Sequence, residues 1–244
     1  VAGVSLENNR KKNVRQIFNT IAPRYDLLNR LFSAGIDQTW RRKLSSRLQC
    51  TSEQMKLLDI ATGTADQIIS LCQTCSFLKS AIGIDSAEKM LILGREKVLK
   101  HRLGSVIHLE EGNAEQLTFK AESFDAVSCS FGLRNVQSLE GVLGEALRVL
   151  KVKGQLLVLE FSLPQNQFVK SVYLLYFRYL LPFLGRLFSN HPEAYRYLNE
   201  SVEHFPYGES FKNILRKAGF VNVGAQPLTF GIATLYWADK PSLP

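Results

Sequence analysis

Hydrophobic positions along the chain follow two rhythms. Between residues 9 and 48 they recur at helical spacing. Val14, Ile17, Phe18 and Ile21 stand at i, i+3, i+4 and i+7, and a second amphipathic piece runs from Trp40 to Leu48. From residue 56 onward, short apolar runs alternate with amphipathic ones. KLLDIA (56–61), AIGID (81–85), VIHLEEG (106–112), FDAVSCSF (124–131) and QLLVLEFS (155–162) are predicted as buried strands. Helices are predicted between them: 65–74, one opened by Ser86 and carrying Met90, Leu91 and Leu93, and 138–150.

This βαβα order predicts an α/β fold with a doubly wound, Rossmann-like and mostly parallel sheet covered by helices on both faces. After residue 162 the rhythm changes to a helical insert (166–202), a helix over 209–218 and two strands (221–229 and 232–238). Only Phe230 and Gly231 join those strands, which predicts an antiparallel C-terminal pairing. The reading is one domain: a helical cap over 1–50, a cofactor-binding core over 56–162, the insert, and the end of the sheet over 209–238.

The stretch LLDIATGTAD (57–66) runs from the first strand into a turn with one glycine. Ligands of such sheets sit at the carboxyl ends of the central strands, and Gly63 permits close approach there. A dinucleotide fingerprint would place glycines where Ala61 and Asp66 stand. A pyrophosphate would also meet Asp59 and Asp66, each repelling it by about 1 kcal/mol or more at ~4 Å. Asp85, ending the second strand, is placed to accept the two hydroxyls of a ribose. A nucleoside ligand with a cationic centre and no phosphate satisfies all of these residues, which favours S-adenosylmethionine over a nicotinamide dinucleotide.

The net charge of +8 is concentrated: residues 1–50 hold ten Lys/Arg against Glu7, Asp26 and Asp37. Such a segment fits nucleic acid, an anionic lipid surface or plain solvation. Four cysteines (Cys50, Cys72, Cys75, Cys129) form no secretory framework, and the CQTC pair lacks further ligands at zinc-site spacing. Reduced cysteines, no metal and a cytoplasmic location are expected, and the opening VAGVSLENNRKK has no apolar run of the signal-peptide type. The greasiest stretch, 171–188, is broken by Arg178, Pro182 and Arg186, so it does not read as a spanning helix.

LLDIATGTAD, GIDSAEKML, EGNAEQLTF, SFGLRNV and RVLKVKGQLLVLEFS resemble the class I methyltransferases of the menaquinone/ubiquinone biosynthesis C-methyltransferase family, and YDLLNRLFSAGIDQTW (25–40) is similar to that family's other signature. The resemblance runs from about Val14 to Tyr236. Departures are Thr62-Gly63-Thr64-Ala65 where the family often has Gly-Gly-Thr-Gly, Asp37 in place of a His, and Lys151-Val152-Lys153-Gly154 in place of Lys-Pro-Gly-Gly. The resemblance implies S-adenosylmethionine contacts at Thr64, Asp85, Asn113, Ala114 and Ser130, beside Asp59 and Gly63 of the turn. It implies C-methylation of a polyprenyl quinol, demethylmenaquinol or a ubiquinol precursor (2-polyprenyl-6-methoxy-benzoquinol). Arg134 and Asn135 are then the expected polarising groups for the quinol oxygen, and Tyr25 is either a hydrogen-bonding partner or a packing residue of the cap. His204 is either a base or structural. The acid-free segment 168–189 is expected to form a channel wall for the tail, a peripheral membrane contact, or a core or homodimer helix. An RNA methyltransferase would interleave its aromatics with basic residues; here they sit among aliphatics, and no nucleic acid is expected.

Overall fold

The computed structural model describes residues 15–27, 29, 30, 33, 35–176, 197 and 200–242. Helix α1 (15–27) carries Ile17, Phe18 and Ile21 on the face that the periodicity predicted; Val14 lies outside the described residues. Helix α2 (Ile36–Arg47) follows, and then β1 (Met55–Ile60), α3 (Asp66–Thr74), β2 (Leu78–Asp85), α4 (Glu88–Lys100) and β3 (Ile107–Glu111). The second half contains β4 (Phe124–Ser130), α5 (Leu139–Val149), β5 (Leu150–Phe161), α6 (Gln167–Leu175), α7 (Glu209–Lys217), β6 (Val221–Leu228) and β7 (Ala233–Asp239).

The sheet order is β3-β2-β1-β4-β5-β7-β6. Pairings from β3 to β5 are parallel, while β7 runs antiparallel to both β5 and β6. Alternate residues of each strand serve opposite faces, as the two-residue period of a strand requires. Leu57 packs with Leu44 of α2, Ile68 of α3 and Leu91 of α4. Its neighbour Leu58 packs with Leu143 of α5 and Phe211 of α7. Both faces are therefore dry, and the ligand edge is the row of strand ends where the order reverses between β1 and β4.

Several predicted boundaries move: the second strand starts at Leu78 rather than 81 and α2 at Ile36 rather than near Trp40, and two further shifts have a visible cause. The second long helix is not opened by Ser86: it starts at Glu88, because Asp85 Oδ1 accepts from the Ala87 amide (2.9 Å) and holds the chain extended for two residues. The fifth strand starts at Leu150 rather than 155. Leu150 pairs with Phe124, and Lys151 reaches Asp125 at 2.9 Å, so cross-strand partners keep a polar stretch in the sheet. Most of the insert, including Arg178 and Arg186, lies outside the described residues; α6 is capped by Asn166, whose side chain accepts from the Phe168 and Val169 amides.

Candidate active site

A cavity of about 600 Å³ opens at the carboxyl ends of β1, β2 and β4, within the range of small-molecule sites (~300–1,000 Å³). Gly63, Asp85, Asn113, Ala114, Ser130, Tyr25 and Asn135 line it. These seven, all named from the sequence, come from four separate loops and the cap; residues such as Arg15, Phe18, Met90, Glu111 and Gln137 complete the wall and were not named as site residues. Asp59 and Thr64 lie beyond it, around a small extension that shares Tyr25, Ala61, Gly63 and Ser130 with the main cavity.

Each wall has a local cause. Gly63 has φ 55, and a Cβ added there would meet no atom within 4 Å, so the turn presents bare backbone to open space. Its amide donates to Asp85 Oδ2 (2.9 Å), which ties the turn after β1 to the end of β2. Burial pushes the Asp85 carboxyl up, and the amides of Ala87, Gly63 and Ser86 restrain that rise. Gly132 lets the turns after β1 and β4 touch: a Cβ there would sit 2.6 Å from the Ala61 Cβ. Asn113 is exposed, and its Oδ1 accepts from the Glu115 amide at 3.1 Å, which leaves its Nδ2 facing outward from a closed turn. The Ser130 hydroxyl donates to Gln67 Oε1 (3.0 Å).

The departures from the family pattern fall where they are structurally legible. Ala65 stands at φ 66, left-handed backbone that a glycine would adopt with less strain. Asp37 is a structural acid: it takes hydrogen bonds from Arg30 and from the Ser33 hydroxyl (2.9 Å).

Arg134 is not part of the cavity wall, although its neighbour Asn135 is. Its side chain is 5% exposed and its Nη1 donates to Glu160 Oε1 (2.8 Å) and to the Phe131 carbonyl. Glu160, fully buried at the end of β5, also accepts from the Arg134 and Phe161 amides. The pair pins the Leu133–Asn135 turn to β5, and so holds Asn135 in the cavity wall, where its Nδ2 donates to the Phe131 carbonyl (3.3 Å) and its Oδ1 accepts from Tyr197 (3.1 Å). Glu160 was missed by sequence reasoning, although a lone acid inside the apolar run QLLVLEFS was a visible signal. His204 is exposed and its Nδ1 donates to the Glu200 carbonyl (2.7 Å), well away from the cavity lining.

The cap closes the other side with charge. Tyr25 comes from α1, where burial pushes its phenol up, against the nearby Arg134 and Arg41 charges. Asp26, one residue on, accepts from the Thr64 hydroxyl (2.6 Å) and from Lys97 (2.8 Å). Lys97 also binds Asp66, which accepts from Arg30 (3.2 Å). Burial opposes the Asp66 charge, yet Arg41, Lys97 and Arg30 together hold its carboxyl below the usual range. Asp59, 1% exposed, accepts from Thr62 (2.7 Å) and Ser128, and burial pushes it up to about 6. Gln67 and Arg41, absent from the predicted site, complete this end.

None of the four cysteines forms a disulfide. Burial pushes Cys72 up to about 12 and Cys129 well above the thiol range, which makes both poor nucleophiles. Among the described residues no cluster is built to hold a metal ion, and no helix is long and apolar enough to cross a membrane.

A sheet with only β7 reversed, a glycine turn after β1 and an acid closing β2 define the fold of the S-adenosylmethionine-dependent methyltransferases. One of that class from Thermotoga maritima, described as a possible histamine N-methyltransferase, superposes with a TM-score of 0.66 at 19% identity, over 93% of this chain and 99% of its own. Residues 5–240 match the model of the ubiE/COQ5 methyltransferase family, and the chain belongs to that family. A demethylmenaquinone methyltransferase of Bacteroides fragilis is 39% identical over 236 residues, covering 97% of this chain and 96% of its own. The ubiquinone/menaquinone biosynthesis C-methyltransferase UbiE of Geobacter sulfurreducens is 40% identical over 229 residues, covering 94% and 89%.

Proposed function

We propose that this methyltransferase carries the methyl group of S-adenosylmethionine to a ring carbon of a polyprenyl quinol, converting demethylmenaquinol to menaquinol. One observation carries the reading: a single cavity brings the ribose-type acid Asp85 together with Tyr25 and Asn135, uncharged hydrogen-bonding groups suited to a phenolic oxygen. The names of the Bacteroides and Geobacter relatives support the quinone substrate, and the second of them keeps a ubiquinol precursor as the other acceptor.

The residues fit the cofactor. Asp85 is fixed by two backbone amides and keeps lone pairs for ribose hydroxyls; Asn113 offers an amide to the adenine edge, and Ala114 leaves room for the ring. Gly63 and Ser130 flank the path between the main cavity and its extension, where Asp59 and Thr64 lie. When bound, the cofactor supplies an electrophilic methyl on a sulfonium. The acceptor carbon becomes nucleophilic when an ortho phenol releases its proton to water, and the methylated carbon then sheds its own proton the same way, so the protein must favour that oxyanion and align the partners at ~3–3.5 Å. Tyr25 does the first: burial keeps its phenol protonated, and it donates to the oxygen. Asn135 adds a second dipole. Arg134 acts through Glu160 as a positioning residue for Asn135, with its charge reaching the site from behind. Product mass settles the acceptor: with purified protein and S-adenosylmethionine, demethylmenaquinol should gain one methyl on carbon. No product from either quinol would overturn the proposal.

We infer further that the enzyme meets this lipid at a membrane surface. Phe168, Val172 and Leu175 form an exposed stripe on α6, which carries Lys170 and no acid. Phe230, 82% exposed, lies on the β6–β7 turn, whose next residue, Gly231, sits close to Pro164 on the approach to α6. Both follow carboxyl strand ends, the side on which the cavity opens. Flotation with anionic vesicles at low salt, lost at high salt, is the expected result. A protein that floats with neither anionic nor neutral vesicles would assign the stripe to packing or a dimer contact.

A further inference from the structure

We propose that Arg41 is the carboxylate anchor of the ligand site, pairing with the α-carboxylate at the methionine end of S-adenosylmethionine. This rests on the cofactor reading above and deepens it. Arg41 projects from α2 with its side chain 9% exposed. Among the described residues its guanidinium donates no hydrogen bond, and its Nε is buried without a partner. The nearest carboxylate oxygen, Asp37 Oδ2, is 3.8 Å from Nε, and that carboxylate is already engaged by Arg30 and Ser33. The Phe131 ring covers one face of the guanidinium at 5.3 Å.

A buried guanidinium with idle donors is strongly unfavourable unless an anion arrives to use them. The surroundings identify that anion. Arg41 lines the small extension that continues the main cavity past Gly63 and Ser130. The acids beside it are not its hydrogen-bonding partners. Asp66 is held by Lys97 and Arg30, and Asp59 takes the Thr62 and Ser128 hydroxyls. They face Arg41 without bonding to it, and they suit the ammonium of an amino acid as neighbours. A planar carboxylate matches the guanidinium fork, whereas a nucleoside with an uncharged tail would leave it unpaired.

The test is calorimetry on the purified full chain with two probes, S-adenosylmethionine and its decarboxylated form. Both carry the same nucleoside, sulfonium and amine, and they differ only in the carboxylate. The wild type should prefer the carboxylated ligand by about tenfold to a hundredfold, the size of a charge-assisted pair. Arg41→Gln should abolish that preference by weakening S-adenosylmethionine alone, and Arg41→Lys should recover part of it. Equal affinity of the wild type for both ligands would sink the anchor while leaving the cofactor reading intact. Equal weakening of both ligands by Arg41→Gln would also sink it, since that is the mark of a structural role. If the wild type binds neither ligand, the cofactor reading fails first. Should Arg41→Gln not fold, the wild-type preference and Arg41→Lys still decide.

Discussion

At the β2–β3 end of the cavity the wall is made of backbone and solvent-facing groups. Asp85 is held by main-chain amides, Asn113 is exposed and closes its own turn, and the charges by which the cap meets this end, Arg15 and Glu111, are each 47% exposed, beside an Asn19–Lys89 amide hydrogen bond and the packing of Ala22 with Ala87 and Met90. At the cap end the wall is made of charge withdrawn from water. Asp59 is 1% exposed, and the side chains of Arg41, Asp66 and Lys97 are 9%, 12% and 23% exposed. Under the proposed cofactor reading, the difference separates what each end would bind. An uncharged nucleoside needs fixed dipoles and one carboxylate, Asp85, held in place by main-chain amides. A zwitterionic tail needs charges whose orientation is settled beforehand, and only a network of mutually paired acids and bases holds them still in a low dielectric.

That contrast is sharpest in stability. Lys97→Met removes the cation that Asp26 and Asp66 share and should cost roughly 3 kcal/mol, the effect of removing one partner from a partly buried pair. Chemical denaturation reads it directly, and a loss no larger than that of a surface variant would erase the distinction between the two ends. Acidity probes the same end. Burial moves the Asp59 carboxyl from 3.8 to about 6 on folding, so the folded chain holds more protons between those values. Wild-type stability therefore falls as pH rises from about 4 to about 6 and then levels. Asp59→Asn keeps one hydroxyl as a donor, lets the other reverse to accept from the amide, and removes this penalty. The gap in unfolding free energy between variant and wild type should move in the variant's favour by about 2–3 kcal/mol from pH 4 to pH 7. A constant gap across that range would mean that Asp59 ionises freely.

The nucleoside end is tested by affinity rather than stability. Asp85→Ala should weaken S-adenosylmethionine by about 1.5–3 kcal/mol with the fold retained; calorimetry showing unchanged affinity would remove Asp85 from the site. The smallest effect belongs to the surface latch: Arg15→Met should change stability by less than ~1 kcal/mol, and salt should weaken the latch in the wild type. Thermal unfolding at two ionic strengths checks it, and a loss as large as that of Lys97→Met would make the two ends alike.

What was legible in the chain was whatever depends on neighbours in sequence. The alternation of apolar runs and helical stripes located the sheet, because burial on two faces imposes those periods on any strand and helix that share a core. Gly63 and Asp85 were legible for the same reason: each follows or closes a strand, and strand ends of such a sheet converge on one edge; Asn113 and Ser130 were named by the family resemblance and stand on that same edge. Tertiary structure alone decided where the long charged side chains point. Arg134 and Asn135 are adjacent in one turn, yet one turns inward to Glu160 of β5 and the other lines the cavity. Arg41, read only as part of a basic segment, becomes a buried cation with idle donors because α2 packs against α3, β5 and β7. A guanidinium reaches across several ångströms, so its partner is chosen by whatever the fold places on the far side, and no local pattern records that choice.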